Sequence, residues 1–277
     1  MPIDQPTSAI PPEILQEAQG YHLALHLHPG GYYVAVFDPG EGTFPWIGEA
    51  TADVIHPEPF RDVCDLLKSQ PWSRQVFRVM TLTFDTPDFT LVPTGLVREG
   101  HEGDLLTFHR SSSPDPVRTM ALHELAATVV YRVPGAIIEL SRHLQGARIL
   151  PSSSLALRYA MSHHDRQTDE FHLVVQPGYL LLTAILKGEH KMTNHFPAQT
   201  EEDILYYLSH AAIRLGADLE HARIRLYGQG ITRSLTALLA TYSRHIELWT
   251  APAGIHTPET IEAVRHFSTL IHPICAL

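Results

Sequence analysis

From Tyr21 to Asp38 the chain reads YHLALHLHPGGYYVAVFD. Leu23, Leu25 and Leu27 alternate with His22, His26 and His28, the period of two that marks a strand. A Pro-Gly pair, Pro29-Gly30, then suits a tight turn, because Pro fixes φ and Gly accepts φ > 0. A second apolar strand follows. The pattern recurs from Phe171 to Lys187, FHLVVQPGYLLLTAILK, with its own pair at Pro177-Gly178. Each hairpin opens on an aromatic-His-Leu triplet. Each is followed by a short turn and a third strand, over Thr43 to Ala50 and over His190 to Phe196.

An amphipathic helix comes next in each copy. The first is predicted from about Pro57 to Ser69, with Phe60, Val63, Cys64 and Leu67 at i, i+3, i+4 and i+7 and Pro71 stopping it. The second begins at Thr200, an N-cap with Asp203 at N3. It carries Ile204, Leu208, Ala211, Ala212 and Leu215 on one face and ends at Gly216. Strands follow over Gln75 to Phe84 and Arg223 to Tyr227. The order is therefore β-β-β-α-β, twice. Internal duplication of this kind is the strongest architectural signal in the sequence.

The remaining segments read more coarsely. Asp88 to Val92 is a strand ended by Pro93, Ser111 to Pro116 a polar loop, and Leu122 to Val133 a β-rich run. Pro134 to Gln145 is a helix with Gly146 beyond it, Arg148 to Leu150 a short strand, and Ser153 to Met161 a helix. Thr257 and Pro258 open a last helix carrying Ile261, Val264 and Ile271.

Composition narrows the function classes. With 277 residues, 44% apolar and 18% charged, the protein can build a substantial core. Twenty basic against 30 acidic side chains give a net charge of −10, which argues against following a phosphate backbone, so no nucleic-acid partner is expected. No apolar run approaches the ~20 residues of a membrane helix, so no membrane insertion is expected. Met1 to Gly20 lacks the basic and apolar regions of a secretory signal. Two cysteines, Cys64 and Cys275, form no metal-type pair and suit a reducing compartment. A cytoplasmic protein is the expectation.

Two β-β-β-α-β-α units in one sequence resemble the actin-like ATPase superfamily, which includes sugar kinases, a heat-shock chaperone and cell-shape filaments. The resemblance is closer to an uncharacterised bacterial family known as domain of unknown function 3822. It rests on N-x-F-x-x-x-T-x-E-D-I-L-Y-Y-L from Asn194 to Leu208, T-L-V-P at Thr90 to Pro93, G-Q-G at Gly228 to Gly230, and the near-terminal Cys275. It implies an α/β, two-lobed actin-like (ribonuclease H-like) fold with mixed sheets: a tail over residues 1–20, a first lobe over 21–163 and a second over 164–277. Actin-like enzymes hold Mg-ATP with D-x-G at the end of each first strand. Mg²⁺ is hard and takes one or two carboxylates plus the phosphates.

Here the two D-x-G positions read His28-Pro29-Gly30 and Gln176-Pro177-Gly178. Both acids are replaced, and each Pro removes a backbone N–H from a phosphate cradle. The glycine turn of the adenosine side is retained as Gly228-Gln229-Gly230. The candidate nucleotide cleft is thus the degenerate set His28, Gly30, Gln176, Gly178, Gly228 and Gly230, with no catalytic residue. No cofactor is expected, and ATP with Mg²⁺ is disfavoured. The expected function is a non-catalytic binding or scaffold module whose partner is a protein or a second copy of itself. The alternative is a diverged nucleotide-binding protein or ATPase with relocated carboxylates at Asp85, Asp88 or Asp38.

Other constellations are weaker. His22, His26 and His28 share a strand face at a spacing transition metals accept, yet no Cys or acid lies nearby in sequence to complete a set, and a polar sheet face is the simpler reading. His163-His164-Asp165 suits a solvated turn. His123-Glu124 starts like HExxH, but Ala127 stands at the fifth position. Phosphate-loop and nucleophile-elbow motifs are absent from the sequence. An exposed ring of the Tyr206-Tyr207 pair would suit a protein partner.

Overall fold

The alternating runs become strands, and each Pro-Gly pair joins two of them through a two-residue turn. The computed structural model describes residues 9–51, 58, 60–107, 113–258 and 262–275. Its contacts divide the protein into two units: Met1–Ser154, Ala253–Thr260 and His272–Leu277 in the first, Leu155–Pro252 and Ile261–Ile271 in the second.

Unit one opens with α1 (Pro12–Gln16), whose Ile14 is buried, so residues 9–20 are part of its fold rather than a tail. Strands β1 (His22–His28), β2 (Gly31–Asp38) and β3 (Thr43–Thr51) form an antiparallel meander. Helix α2 (Arg61–Lys68) leads to β4 (Val79–Phe84), which lies parallel to β1. A small antiparallel sheet follows, built from β5 (Phe89–Pro93), β6 (Val117–Leu122) and β7 (Ala127–Arg132), with α3 (Glu102–Thr107) between β5 and β6. Helix α4 (Gly135–His143) packs on α2, and β8 (Arg148–Pro151) completes the main sheet in the order β3-β2-β1-β4-β8.

Unit two repeats the plan. Helix α5 (Ser152–His163) precedes β9 (Glu170–Gln176), β10 (Tyr179–Leu186), β11 (Glu189–Pro197), α6 (Glu201–Leu215), β12 (Arg223–Tyr227), α7 (Arg233–Leu239) and β13 (His245–Leu248). Its sheet runs β11-β10-β9-β12-β13, with the same parallel and antiparallel pairs. On one face Phe171, Leu173 and Val175 of β9 join Leu180 and Leu182 of β10. Ile204 and Leu208 of α6 and Leu235 of α7 complete that core. The division between units falls inside α5 rather than in the polar link after it. The reason is aromatic packing: Tyr159 of α5 meets Phe267 edge-on at 5.3 Å, and its hydroxyl is 2.8 Å from Trp249 Nε1, both in unit two.

Helix α6 is capped as its sequence predicts. Thr200 Oγ1 accepts the Asp203 N–H at 3.2 Å, and the Asp203 carboxylate accepts the Thr200 N–H at 3.0 Å, the reciprocal pair of a capping box. Gly216 closes the helix at φ 69°. Thr200→Ala is expected to lower stability by about 1 kcal/mol, read as a shift in urea midpoint at unchanged slope.

The other face of the unit-two sheet holds buried charge. Glu170 has no solvent exposure. Its carboxylate accepts hydrogen bonds from Arg223 Nη1 at 3.0 Å, Arg225 Nη2 at 3.4 Å, His172 Nε2 at 3.0 Å and the Asp165 N–H at 3.1 Å. His172 Nδ1 lies 2.7 Å from the Tyr227 hydroxyl. Burial holds the His172 imidazole below its ordinary pKa, against the pull of Glu170. Despite burial, which pushes the Glu170 carboxyl up, the His172 and Asp165 hydrogen bonds and the Arg225 charge hold it down to about 2. Four donors make this carboxylate a fully satisfied buried anion, the condition under which one is tolerated.

Several expectations need correcting. Phe60 is not inside α2: it stands before it in a left-handed conformation, φ 65°. The strand expected from Gln75 begins at Val79, since Pro71–Arg74 is a 3₁₀ turn. The run from Leu122 to Val133 is a hairpin arm, not one strand, because His123–Leu125 forms a 3₁₀ turn and Ala126 takes φ 47°. Thr257 and Pro258 themselves are not helical. The described C-terminal end instead forms a 3₁₀ turn at Ala263–His266, α8 (Phe267–Leu270) and α9 (His272–Cys275). Pro57, Ser111, Ser112 and Ile261 lie outside the described residues.

The duplication is also set differently from its most visible match. β1 and β9 are each seven residues long and enter their turns at His28 and Gln176. His22 therefore corresponds to Glu170, and the two aromatic-His-Leu triplets sit two residues out of step. A slip of two keeps every side chain on the same face, which is why it leaves the strand pattern undisturbed.

Candidate functional site

The strand-end turns sit where three segments of unit two converge and, separately, where β1 and β4 of unit one end. In unit one, His28 is half-buried at the end of β1, its ring 5.2 Å from Tyr33. Burial, reinforced by neighbouring His26 and only partly offset by Asp85, holds its pKa down to about 4. A neutral imidazole thus stands at the end of β1. Gly30 makes no left-handed turn. The glycine that unit one requires is Gly31, where a Cβ would lie 2.1 Å from the Ala50 carbonyl oxygen.

In unit two, Gln176 is buried and Gly178 takes φ 90°. Gln176 Oε1 accepts the Gln229 N–H at 3.4 Å, so the side chain at the end of β9 braces the glycine turn. Gly228 takes φ 104°, and its Cβ would lie 2.3 Å from the Val175 carbonyl oxygen. The Gly228 N–H donates to Val264 O at 2.9 Å and the Gly230 N–H to Val175 O at 3.0 Å. All three N–H groups of Gly228-Gln229-Gly230 are therefore spent inside unit two. A turn that receives a phosphate must keep such donors for the ligand.

The N-terminus of the following helix is also filled. Thr232 caps α7, accepting the Leu235 N–H at 2.9 Å. Glu201, from the start of α6, takes hydrogen bonds from Thr232 Oγ1 and from Ser234 Oγ, the latter at 2.6 Å. Those two hydroxyls hold the Glu201 carboxyl below the usual carboxylate range. The protein supplies its own anion there. The sequence signal was Thr-x-Ser opening α7 beside the acidic first turn of α6, which spacing alone could not bring together.

The three carboxylates considered as replacements are all engaged within the protein itself. Asp85 is buried: Ser152 Oγ donates to its Oδ1 at 2.6 Å, and Oδ2 lies 3.6 Å from His26 Nε2. Asp88 sits in a turn, its N–H donating to Thr86 Oγ1 at 3.0 Å and its carboxylate 3.9 Å from Arg132 Nε. Asp38 Oδ1 accepts the Gly40 and Glu41 N–H groups at 2.8 and 3.3 Å.

Beside Asp85, His26 belongs to a buried polar layer. Thr83 Oγ1 is 3.1 Å from His26 Nδ1, 3.0 Å from His272 Nε2 of α9 and 3.2 Å from the Leu25 carbonyl. The hydroxyl has one hydrogen to give, so at least one imidazole donates to it. Among the described residues, no three His, Cys, Asp or Glu side chains are grouped to hold a metal ion. No helix among those residues is long and apolar enough to cross a membrane.

Two five-stranded mixed sheets, each with the order β-β-β-α-β and its hairpin turn at the end of the first strand, define an actin-like ATPase fold. Solved structures agree. A Bacteroides thetaiotaomicron protein with actin-like ATPase fold and unknown function is 14% identical, with a TM-score of 0.79 over 94% of this chain and 98% of that one. The PilM-PilN type IV pilus biogenesis complex contains a chain 11% identical, with a TM-score of 0.59 over 90% of this chain and 96% of that one. The model of the DUF3822 family, described as a protein of unknown function, matches residues 12–246, and the chain belongs to that family. No curated protein matches it in sequence.

Proposed function

We propose that the protein is a non-catalytic actin-like module, a binding or scaffold protein whose partner is another protein or a second copy of itself. One observation carries the reading: the N–H groups of Gly228, Gln229 and Gly230 are all bonded within unit two, and one of them is held by the side chain that replaces a metal acid. A neutral His28 at the other acid position supports the same conclusion, since neither it nor Gln176 supplies the anionic oxygen a hydrated Mg²⁺ prefers. Partner binding is supported by uncovered apolar surface. On α6, Tyr206 and Ile213 are 62% and 77% exposed and share a stripe with His210 at i, i+4 and i+7. A fold relative seen within the PilM-PilN complex is an instance of this use of the fold.

The test is turnover. Phosphate release from Mg-ATP should stay at the rate of protein-free buffer. Steady release that disappears in Asp85→Asn would instead establish an ATPase with a relocated carboxylate.

A further inference from the structure

A second site lies on the first unit. The 3₁₀ turn Pro71–Arg74 and the last turn of α4 are joined by one hydrogen bond: Ser73 Oγ is 3.0 Å from His143 Nε2. Ser73 is buried, and its hydroxyl also reaches the Lys68 carbonyl at 3.2 Å. A carbonyl only accepts, so the hydroxyl hydrogen goes to Lys68 and His143 Nε2–H donates to Ser73. The imidazole is thereby fixed in place. Arg74 and Arg142, each one residue from this bond, are brought to the rim of one cleft of about 330 Å³, lined by Ser73, Arg74, Arg142, His143 and Gln145.

Among the described residues no acidic side chain lines the cleft, in a protein with ten more acids than bases. Several other arginines are matched to acids. Arg61 holds Glu58 and Glu139, while Arg223 and Arg225 hold Glu170 and Glu247. The acid nearest Arg142 along α4 is Glu139; its hydrogen bond from Arg61 at 2.6 Å is the chief cause that keeps its carboxyl low, and the Arg142 charge adds only to that. The C-terminus of α4 contributes about half a negative charge of its own. Arg142 and His143 in that turn offset it, and Arg74 arrives from another element as surplus. Two exposed guanidiniums and a primary amide bring planar N–H donors to one cleft, the chemistry suited to an oxyanion carrying two charges.

We propose that this cleft binds a phosphate monoester, with Arg74 and Arg142 taking the phosphoryl oxygens and the Gln145 amide orienting them. Arg74 also borders an adjoining cleft of about 560 Å³ with Leu15, Gln75 and Val76, which leaves room for the organic group of the ester. Glu17 on that second cleft keeps the anion on the Arg142 side. The assignment does not depend on the fate of the nucleotide turns, and its failure would leave that reading untouched.

Isothermal titration of the full-length protein with inorganic phosphate, at constant ionic strength and neutral pH, tests it. The expected result is one saturable site with a Kd on the order of 1 mM. Arg74→Gln and Arg142→Gln should each weaken it about tenfold, and the double variant should abolish it. Both side chains are exposed, so thermal unfolding of the variants should match that of the unsubstituted protein and separates loss of binding from loss of fold. O-phosphoserine and a phosphoserine decapeptide then distinguish the source: equal affinity assigns a small phosphorylated metabolite, and tighter binding of the peptide assigns a phosphorylated protein. The proposal is overturned by the absence of saturable binding, by affinities unchanged in both variants, or by acetate binding as tightly as phosphate.

Discussion

Glu170→Gln is expected to destabilise the protein by about 3–5 kcal/mol, the cost of removing one partner from a buried ion network. The substitution keeps the side-chain volume and deletes the charge. Arg225 and His172 would then remain in the sheet without the anion that both face, and the Gln amide would point an N–H₂ at a guanidinium. The pH dependence has a definite sign. The folded carboxyl titrates near 2 and the unfolded one at the ordinary 4.5. Its contribution is therefore complete above pH 4.5 and disappears as pH falls toward 2, a loss of about 3 kcal/mol. His172, held below its ordinary 6.5 by burial, adds to acid lability, because the unfolded imidazole binds its proton first. Urea unfolding between pH 7 and pH 3 should show stability falling with acid, and the slope below about pH 4.5 should flatten in Glu170→Gln. Parallel pH profiles for the two proteins would refute the role given to Glu170.

Gly228→Ala is expected to cost about 3 kcal/mol or more. The left-handed φ of 104° accounts for part of this, and the remainder comes from a Cβ placed 2.3 Å from a backbone oxygen that cannot move without breaking β9. Gly230→Ala is the internal comparison. Its Cβ meets the Cγ1 of Val175 at 2.8 Å, a side chain that can rotate, and φ there is not left-handed, so about 1 kcal/mol is expected. The contrast matters for function. If the turn is a structural seal, both substitutions act through stability in the order given. Were it a ligand cradle, both proteins would fold with near-normal stability and lose ligand.

The β-β-β-α-β plan could be read from the sequence because its signals are local: period-two alternation, Pro-Gly turns at Pro29-Gly30 and Pro177-Gly178, and the Thr200 to Gly216 caps. What the sequence hid was long-range. Glu170 looks like the end of a polar link, and only the pairing of β9 with β12 places it opposite Arg223 and beside Arg225. The Arg-x-Arg of that strand was a usable clue, since Ile224 and Leu226 between and after the arginines face the core and oblige both guanidiniums to share the other face. β13 was missed because four residues with an exposed edge carry no alternation, and α3 because six residues offer less than two turns. For the candidate site, the sequence places His28 and Gln176 at the two first-strand ends, where the resemblance leads one to expect D-x-G acids. That Gln176 closes the glycine turn, and that Glu201 fills the start of α7, depended on contacts between residues 53 and about 30 positions apart.

The central claim is that an actin-like fold has been kept while its nucleotide site has been closed from within. The most direct measurement is the thermal unfolding midpoint of the full-length protein with and without about 5 mM Mg-ATP, because any ligand that binds the native state must stabilise it, by about 2.7 kcal/mol at a hundredfold excess over Kd. The account predicts the same midpoint in Mg-ATP as in magnesium with an inert sodium salt of equal ionic strength. A rise of several degrees that requires both magnesium and the adenine nucleotide, and that is weakened by Gln229→Pro at the glycine turn, would contradict it.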